Sequence, residues 1–125
     1  MLVASNLFAQ APGHEWSLRV QSQSDGGECH RYVVTVDPAI LEWPELEQAA
    51  VIGHEMTHCL HSTSVSFGFW SAPCWPEIDA DAGGVQLATA AGYNGREAMT
   101  KVLNRLIARG WTDKCERLKH IRSNQ

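Results

Sequence analysis

The stretch VIGHEMTHCLHS, Val51 to Ser62, carries His54, His58 and His61 at i, i+4 and i+7. That spacing is coherent on an α-helix, where such positions share one face. It therefore constrains the local structure before anything else in the chain does. Pro44 lies upstream at a place suited to the first position of a helix. Glu45 and Glu47 follow and favour the helix dipole. Leu46, Ala49, Ala50 and Val51 keep helical spacing. The reading is a helix from about Pro44 to His61, with the imidazoles of His54 and His58 one turn apart.

The chain has 125 residues, enough for one domain with one core. Residues 1–15 read as an irregular N-terminal arm. Its MLVASNLFAQAPG is apolar and rich in small residues, like the tail of a secretory signal peptide, but it lacks a basic n-region. Signal remnant and extended arm are both open. Residues 16–125 read as a single domain. Trp16 to Val20 alternates as a strand does, SDGGE is a turn signal, and CHRYVVTVD is rich in β-branched and aromatic residues. The two strands are expected to form a hairpin. Ser62 to Pro76 reads as a loop. Pro76 opens a second helix that Gly92 stops, and Asn94 caps a third over about Gly95 to Arg109. A short basic segment from Thr112 to Ile121 closes the chain. The fold class is α+β, with a small antiparallel or mixed sheet packed on three to four helices.

Net charge is −4, which argues against nucleic acid as the main partner. The charge is uneven: Arg19 and Arg31 are the only basic residues before Arg96, and eight lie between Arg96 and Arg122. That segment reads as a solvated face or as a docking surface for an anionic partner. No run approaches the roughly 20 apolar residues that span a bilayer. The four cysteines, Cys29, Cys59, Cys74 and Cys115, form no CxxC pair, so a structural zinc knuckle is not expected. Two disulfides would leave three connectivities open. Cys59 with Cys74 would tie the histidine helix to its loop, and Cys29 with Cys115 would tie an early strand to the C-terminus. Buried thiols are the alternative. A periplasmic or secreted location stands ahead of a cytoplasmic one.

HEMTH matches the H-E-x-x-H pattern. One helical turn between the two histidines lets both reach one zinc ion, and the glutamate lies beside it as a general base. Catalytic zinc takes three protein ligands and keeps one position open. His61 is an awkward third ligand, because i+7 is about 10 Å along a helix. The other candidates lie in PEIDADAGG, where Glu77, Asp79 and Asp81 also suit a helix dipole. Glu77 and Asp81 share a face. Glu77 is expected as the third ligand, with Asp81 accepting the free N–H of a bound histidine. Ala80, Ala82, Gly83 and Gly84 would let this helix approach the first closely. Cys74 as a zinc-binding switch is a further reading.

VVTVDPAILEWPELEQAAVIGHEMTH followed by EIDADAGGVQLATAAGYNGREAMTKVL resembles the gluzincin metallopeptidases. Within them it looks most like the CAAX prenyl endopeptidases, the HtpX-type quality-control proteases and their small periplasmic relatives. Glu77, Ala80 and Asp81 fall on that family's E-x-x-A-D pattern, and Ala91, Gly92 and Tyr93 on its helix end. The likeness runs from about Tyr32 to Leu106, with a shorter interval between His58 and Glu77 than is usual there. It implies a zinc-dependent endopeptidase acting on peptides or unfolded protein, with one zinc on His54, His58 and Glu77. Glu55 would be the general base and Asp81 the partner of a zinc-bound histidine. It also implies that the strand around Val33 to Val36 forms the upper edge of a cleft, where a peptide could add as a strand. The oxyanion-stabilising residue does not carry over; Tyr93, Arg96, His61 and His120 are alternatives. Phe67, Phe69, Trp70 and Trp75 would line the cleft or pack the loop. The competing function is a zinc-binding module that acts through a protein partner. Loss of the base would mark it, and Glu55 is present.

Overall fold

A computed structural model describes residues 2–23, 26–61 and 74–123. Among them are α1 (Leu2–Phe8), β1 (Ser17–Val20), β2 (Gly27–His30), β3 (Val33–Val36), a 3-10 turn (Pro38–Glu42), α2 (Glu45–His61), α3 (Trp75–Ala90), α4 (Gly95–Ala108) and α5 (Arg117–Ser123). The architecture is α+β, a small mixed sheet set against helices.

α2 is the central helix and packs on α1, α3, α4, β2 and β3. Ala49, Ala50, Ile52 and Met56 are fully buried along it. α3 starts at Pro76 in its first turn and ends before Gly92, where φ is +99°. Asn94 caps α4 by accepting from the Glu97 N–H at 3.2 Å.

Three expectations are corrected here. The N-terminal segment is not an irregular arm. Val3, Ala4 and Leu7 form one buried helical face that packs on α2. Second, β1 and the next strand do not form a hairpin. The strand order is β1-β3-β2, with β1 parallel to β3. The segment read as one strand, Cys29 to Asp37, folds back on itself. Arg31 and Tyr32 both take positive φ, as the central pair of a two-residue turn requires. The Tyr32 ring stacks on His14 at 4.2 Å and meets Trp16 edge-on at 5.1 Å, contacts that help hold this costly backbone. Third, β3 is the middle strand, so Val33–Val36 cannot be an open edge.

The disulfides join Cys29 to Cys59 and Cys74 to Cys115. Neither of the two pairs considered from sequence forms, nor are the cysteines free thiols. Cys59 of α2 faces Cys29 of β2, whereas Cys74 lies just before α3 and meets the segment before α5. Cys74 is thus unavailable as a metal ligand. No helix of the described residues is long and apolar enough to cross a membrane. Bonds of this kind persist in oxidising compartments.

Candidate metal centre

His54 and His58 lie on the buried face of α2, one turn apart, with their rings edge to face at 4.8 Å. Glu77 comes from the first turn of α3. His54 Nε2 lies 2.9 Å from Glu77 Oε1, His58 Nε2 lies 3.3 Å from the same oxygen, and the two Nε2 atoms are 3.2 Å apart. Donor atoms on a tetrahedral ion with bonds of about 2.0–2.1 Å stand about 3.3–3.4 Å from one another. The three donors already have close to that spacing, so the group fits a metal ion.

Glycines make the approach of the two helices possible. A methyl group on Gly84 would sit 2.8 Å from the His54 backbone nitrogen, and one on Gly83 would overlap Thr57. Gly83 and Gly84 thus do what was expected of them. At this crossing α3 brings Asp81 under His54, with Asp81 Oδ1 2.8 Å from His54 Nδ1. A carboxylate there fixes the ring so that Nε2 faces the donor group.

Asp81 is 1% exposed and is itself held. Arg117, at the start of α5, donates from Nε to Oδ2 and from Nη2 to Oδ1, both at 2.8 Å. This two-pronged grip orients a carboxylate better than a single charge would. Arg117 was not singled out from sequence. It is one of eight basic residues in the C-terminal segment, and no local pattern separates it from the others. Asp113 positions its helix by accepting from the backbone N–H groups of Arg117 and Leu118.

The electrostatics follow from this packing. Burial disfavours a charged His54, but bonds to Asp81 and Glu77 and the nearby Glu55 outweigh it and raise its pKa to about 10. Burial pushes Asp81 up, but Arg117 and His54 bring it below the usual carboxylate range. Glu77 is likewise lowered, its own desolvation being outweighed by the two histidines. His54, Glu77, Asp81 and Arg117 thus form one ion-paired cluster.

Glu55 is 9% exposed and follows His54 on α2. Burial raises its pKa, against the opposing pull of His54 and His58. Gly27 of β2 packs against it: a methyl there would lie 3.3 Å from Glu55 Cγ. The strand nearest the glutamate is thus β2, whose outer side pairs with no other strand among the described residues.

The remaining candidates lie elsewhere. His61 is half-exposed, and its Nδ1 sits 2.5 Å from Asp79 Oδ2, on the rim and outside the donor group. Tyr93 and Arg96 follow the far end of α3, whose last residue, Ala90, is about 20 Å along the helix from Glu77. His120 is exposed on α5. Trp75 is 55% exposed at the start of α3. Phe67, Phe69 and Trp70 lie outside the described residues. In the basic segment, Arg105 pairs with Glu47 and Arg117 with Asp81, so two of its charges are structural.

Fold and site together define a small α+β domain with a His–His–Glu group suited to a metal ion. Comparison with protein-family models, with curated proteins and with solved structures gives no match.

Proposed function

We propose that this chain is a zinc-dependent metalloendopeptidase of the gluzincin kind. The observation that carries the reading is the convergence of His54, His58 and Glu77 to donor spacings of 2.9–3.3 Å, with Glu55 next in sequence to the first histidine. Two imidazoles and one carboxylate suit zinc, and they match the donor set of catalytic sites with one open position. Zinc bound there would supply a Lewis acid that lowers the pKa of an attacking water to about 7.

The protein's own groups do the rest. His54 is held in one orientation by Asp81, and Asp81 by Arg117. Glu55 takes a proton as the water oxygen attacks the peptide carbonyl, and delivers it to the nitrogen as the C–N bond breaks. Its desolvated carboxylate, with a raised pKa, suits that exchange. The outer side of β2 offers a peptide main-chain hydrogen bonds beside Glu55, so an extended or unfolded segment is the substrate class.

The test pairs two variants. Glu77→Ala should lose zinc in metal analysis, and Glu55→Gln should keep zinc while cleavage of an unfolded protein such as casein stops. Undiminished zinc in Glu77→Ala overturns the ligand set. Unchanged cleavage in Glu55→Gln overturns the mechanism. Zinc binding without cleavage by the wild type would favour a module that acts through a protein partner.

A further inference from the structure

The Cys74–Cys115 disulfide touches both halves of the support on one side of the metal centre. Cys74 is the residue before α3, three positions ahead of Glu77. Cys115 stands two positions ahead of Arg117, which grips Asp81. One covalent bond therefore holds the turn that carries a metal donor and the turn that carries the cation behind His54.

Their other anchors lie along each helix, where α3 packs on α2, or within the segment itself, where Asp113 accepts from the Arg117 and Leu118 N–H groups. Cys74 makes no side-chain capping bond at the start of α3. α5 has seven residues and a single buried one, Ile121. His54 and His58 lie within an unbroken run of buried residues on α2, Ile52 to His58, whereas Glu77 stands in the first turn of α3 with its side chain 43% exposed. The histidine half of the site is set in the core, and the bridge ties the first turn of α3 to the segment that carries Arg117. Cys74 and Cys115 are both half-buried; in the other bridge Cys59 is half-buried and Cys29 is 6% exposed.

We propose that Cys74–Cys115 is a redox-operated latch on the metal centre: oxidised, it holds Glu77 and Arg117 in register with the histidines; reduced, it frees both turns and the site loses its metal. The inference rests on the metal-site reading above. The reductant is a dithiol. One of its thiolates attacks a sulfur of the bridge and forms a mixed disulfide, and its second thiol displaces that sulfur. Cys74 and Cys115 leave as two thiols, gaining two electrons and two protons, and the dithiol becomes a disulfide.

The experiment uses the full chain, oxidised and titrated with zinc against a chromophoric chelator, before and after tris(2-carboxyethyl)phosphine. Cys74→Ser/Cys115→Ser and Cys29→Ser/Cys59→Ser are titrated beside it, with thiol counts and far-UV circular dichroism. Reduction and the first double variant should each weaken zinc about 10–100-fold, the range for losing the support of a ligand. Helical signal should persist, and reoxidation of the wild type should restore affinity. The second double variant should bind as the wild type does until its remaining bridge is cleaved. Affinity unchanged within about threefold after the bridge is cleaved overturns the latch and leaves the metal site standing. Loss of helical signal together with the metal also overturns it, since the bond would then be a staple of the whole fold. An oxidised wild type that binds no zinc overturns the metal site, and the latch with it.

Discussion

Arg117 grips Asp81 through two hydrogen bonds of 2.8 Å across 36 residues of sequence. The Arg117 side chain is 14% exposed and that of Asp81 1%. Removing the cation leaves a buried carboxylate with one partner, His54. Arg117→Ala should therefore cost about 3–5 kcal/mol of stability and weaken zinc about 10–100-fold. Arg117→Lys keeps the charge but not the fork and should recover only part of both. Thermal melts and chelator competition measure the two effects. Zinc affinity within about twofold of wild type in Arg117→Ala would remove Arg117 from the site's support.

The approach of α3 to α2 depends on Gly84. An added methyl meets the backbone of His54 at 2.8 Å and Met99 Cε at 2.9 Å. Gly84→Ala should cost about 1–3 kcal/mol by overpacking, and it should weaken metal binding because it pushes Glu77's helix outward. Gly92→Ala is the contrast. It has open space but a φ of +99°, so it should cost about 1–2 kcal/mol from backbone strain and leave zinc affinity alone. Equal zinc affinity in the two variants would show that the crossing does not set the site.

Metal should stabilise the fold, since the donors come from two helices. An ion at 100 times its Kd adds about 2.7 kcal/mol, or about 10 °C in Tm at roughly 4 °C per kcal/mol. A chelator should remove that increment. Zinc or cobalt should restore it, and magnesium or calcium should not, because imidazole donors suit the former pair. An unshifted Tm on adding zinc to the stripped protein would contradict a preformed site.

Asp37 ties the loop before β2 to the turn after β3. Its Oδ1 accepts from the Gln23 N–H at 3.0 Å and its Oδ2 from the Ala39 N–H at 2.9 Å. These two backbone bonds hold its pKa below the usual carboxylate value. A carboxylate with a lowered folded pKa stabilises above its unfolded pKa and loses that contribution as pH falls through the folded value. Asp37→Ala should melt below the wild type near pH 7, and the gap should narrow as pH falls below about 4. A gap independent of pH would mean that the charged form contributes nothing.

Local periodicity made much of the site readable. His54, Glu55 and His58 follow from one helical turn, and Glu77 with Asp81 from the next acidic helix and its small residues. Pro76, Gly92 and Asn94 mark helix ends by backbone chemistry that acts within a few residues. The N-terminal helix was legible too, in the spacing of Val3, Ala4 and Leu7, but its likeness to a leader obscured it. The turn at Arg31 and Tyr32 carries none of the Gly, Asn or Asp residues that usually announce such a turn, so one apparent strand concealed two.

By itself, the sequence determined which residues could bind a cation and which helices would carry them, because helix periodicity is a property of neighbours. Tertiary structure decided the rest: β1 beside β3, Cys29 with Cys59, Cys74 with Cys115, and Arg117 behind Asp81. Each joins parts of the chain that local patterns leave independent. Four cysteines allow three pairings, and eight basic residues offer eight candidate partners for one buried carboxylate. Only the packing of α3 against α2, with α5 folded back beside them, selects among these, since burial makes an unpaired Asp81 too costly to leave alone.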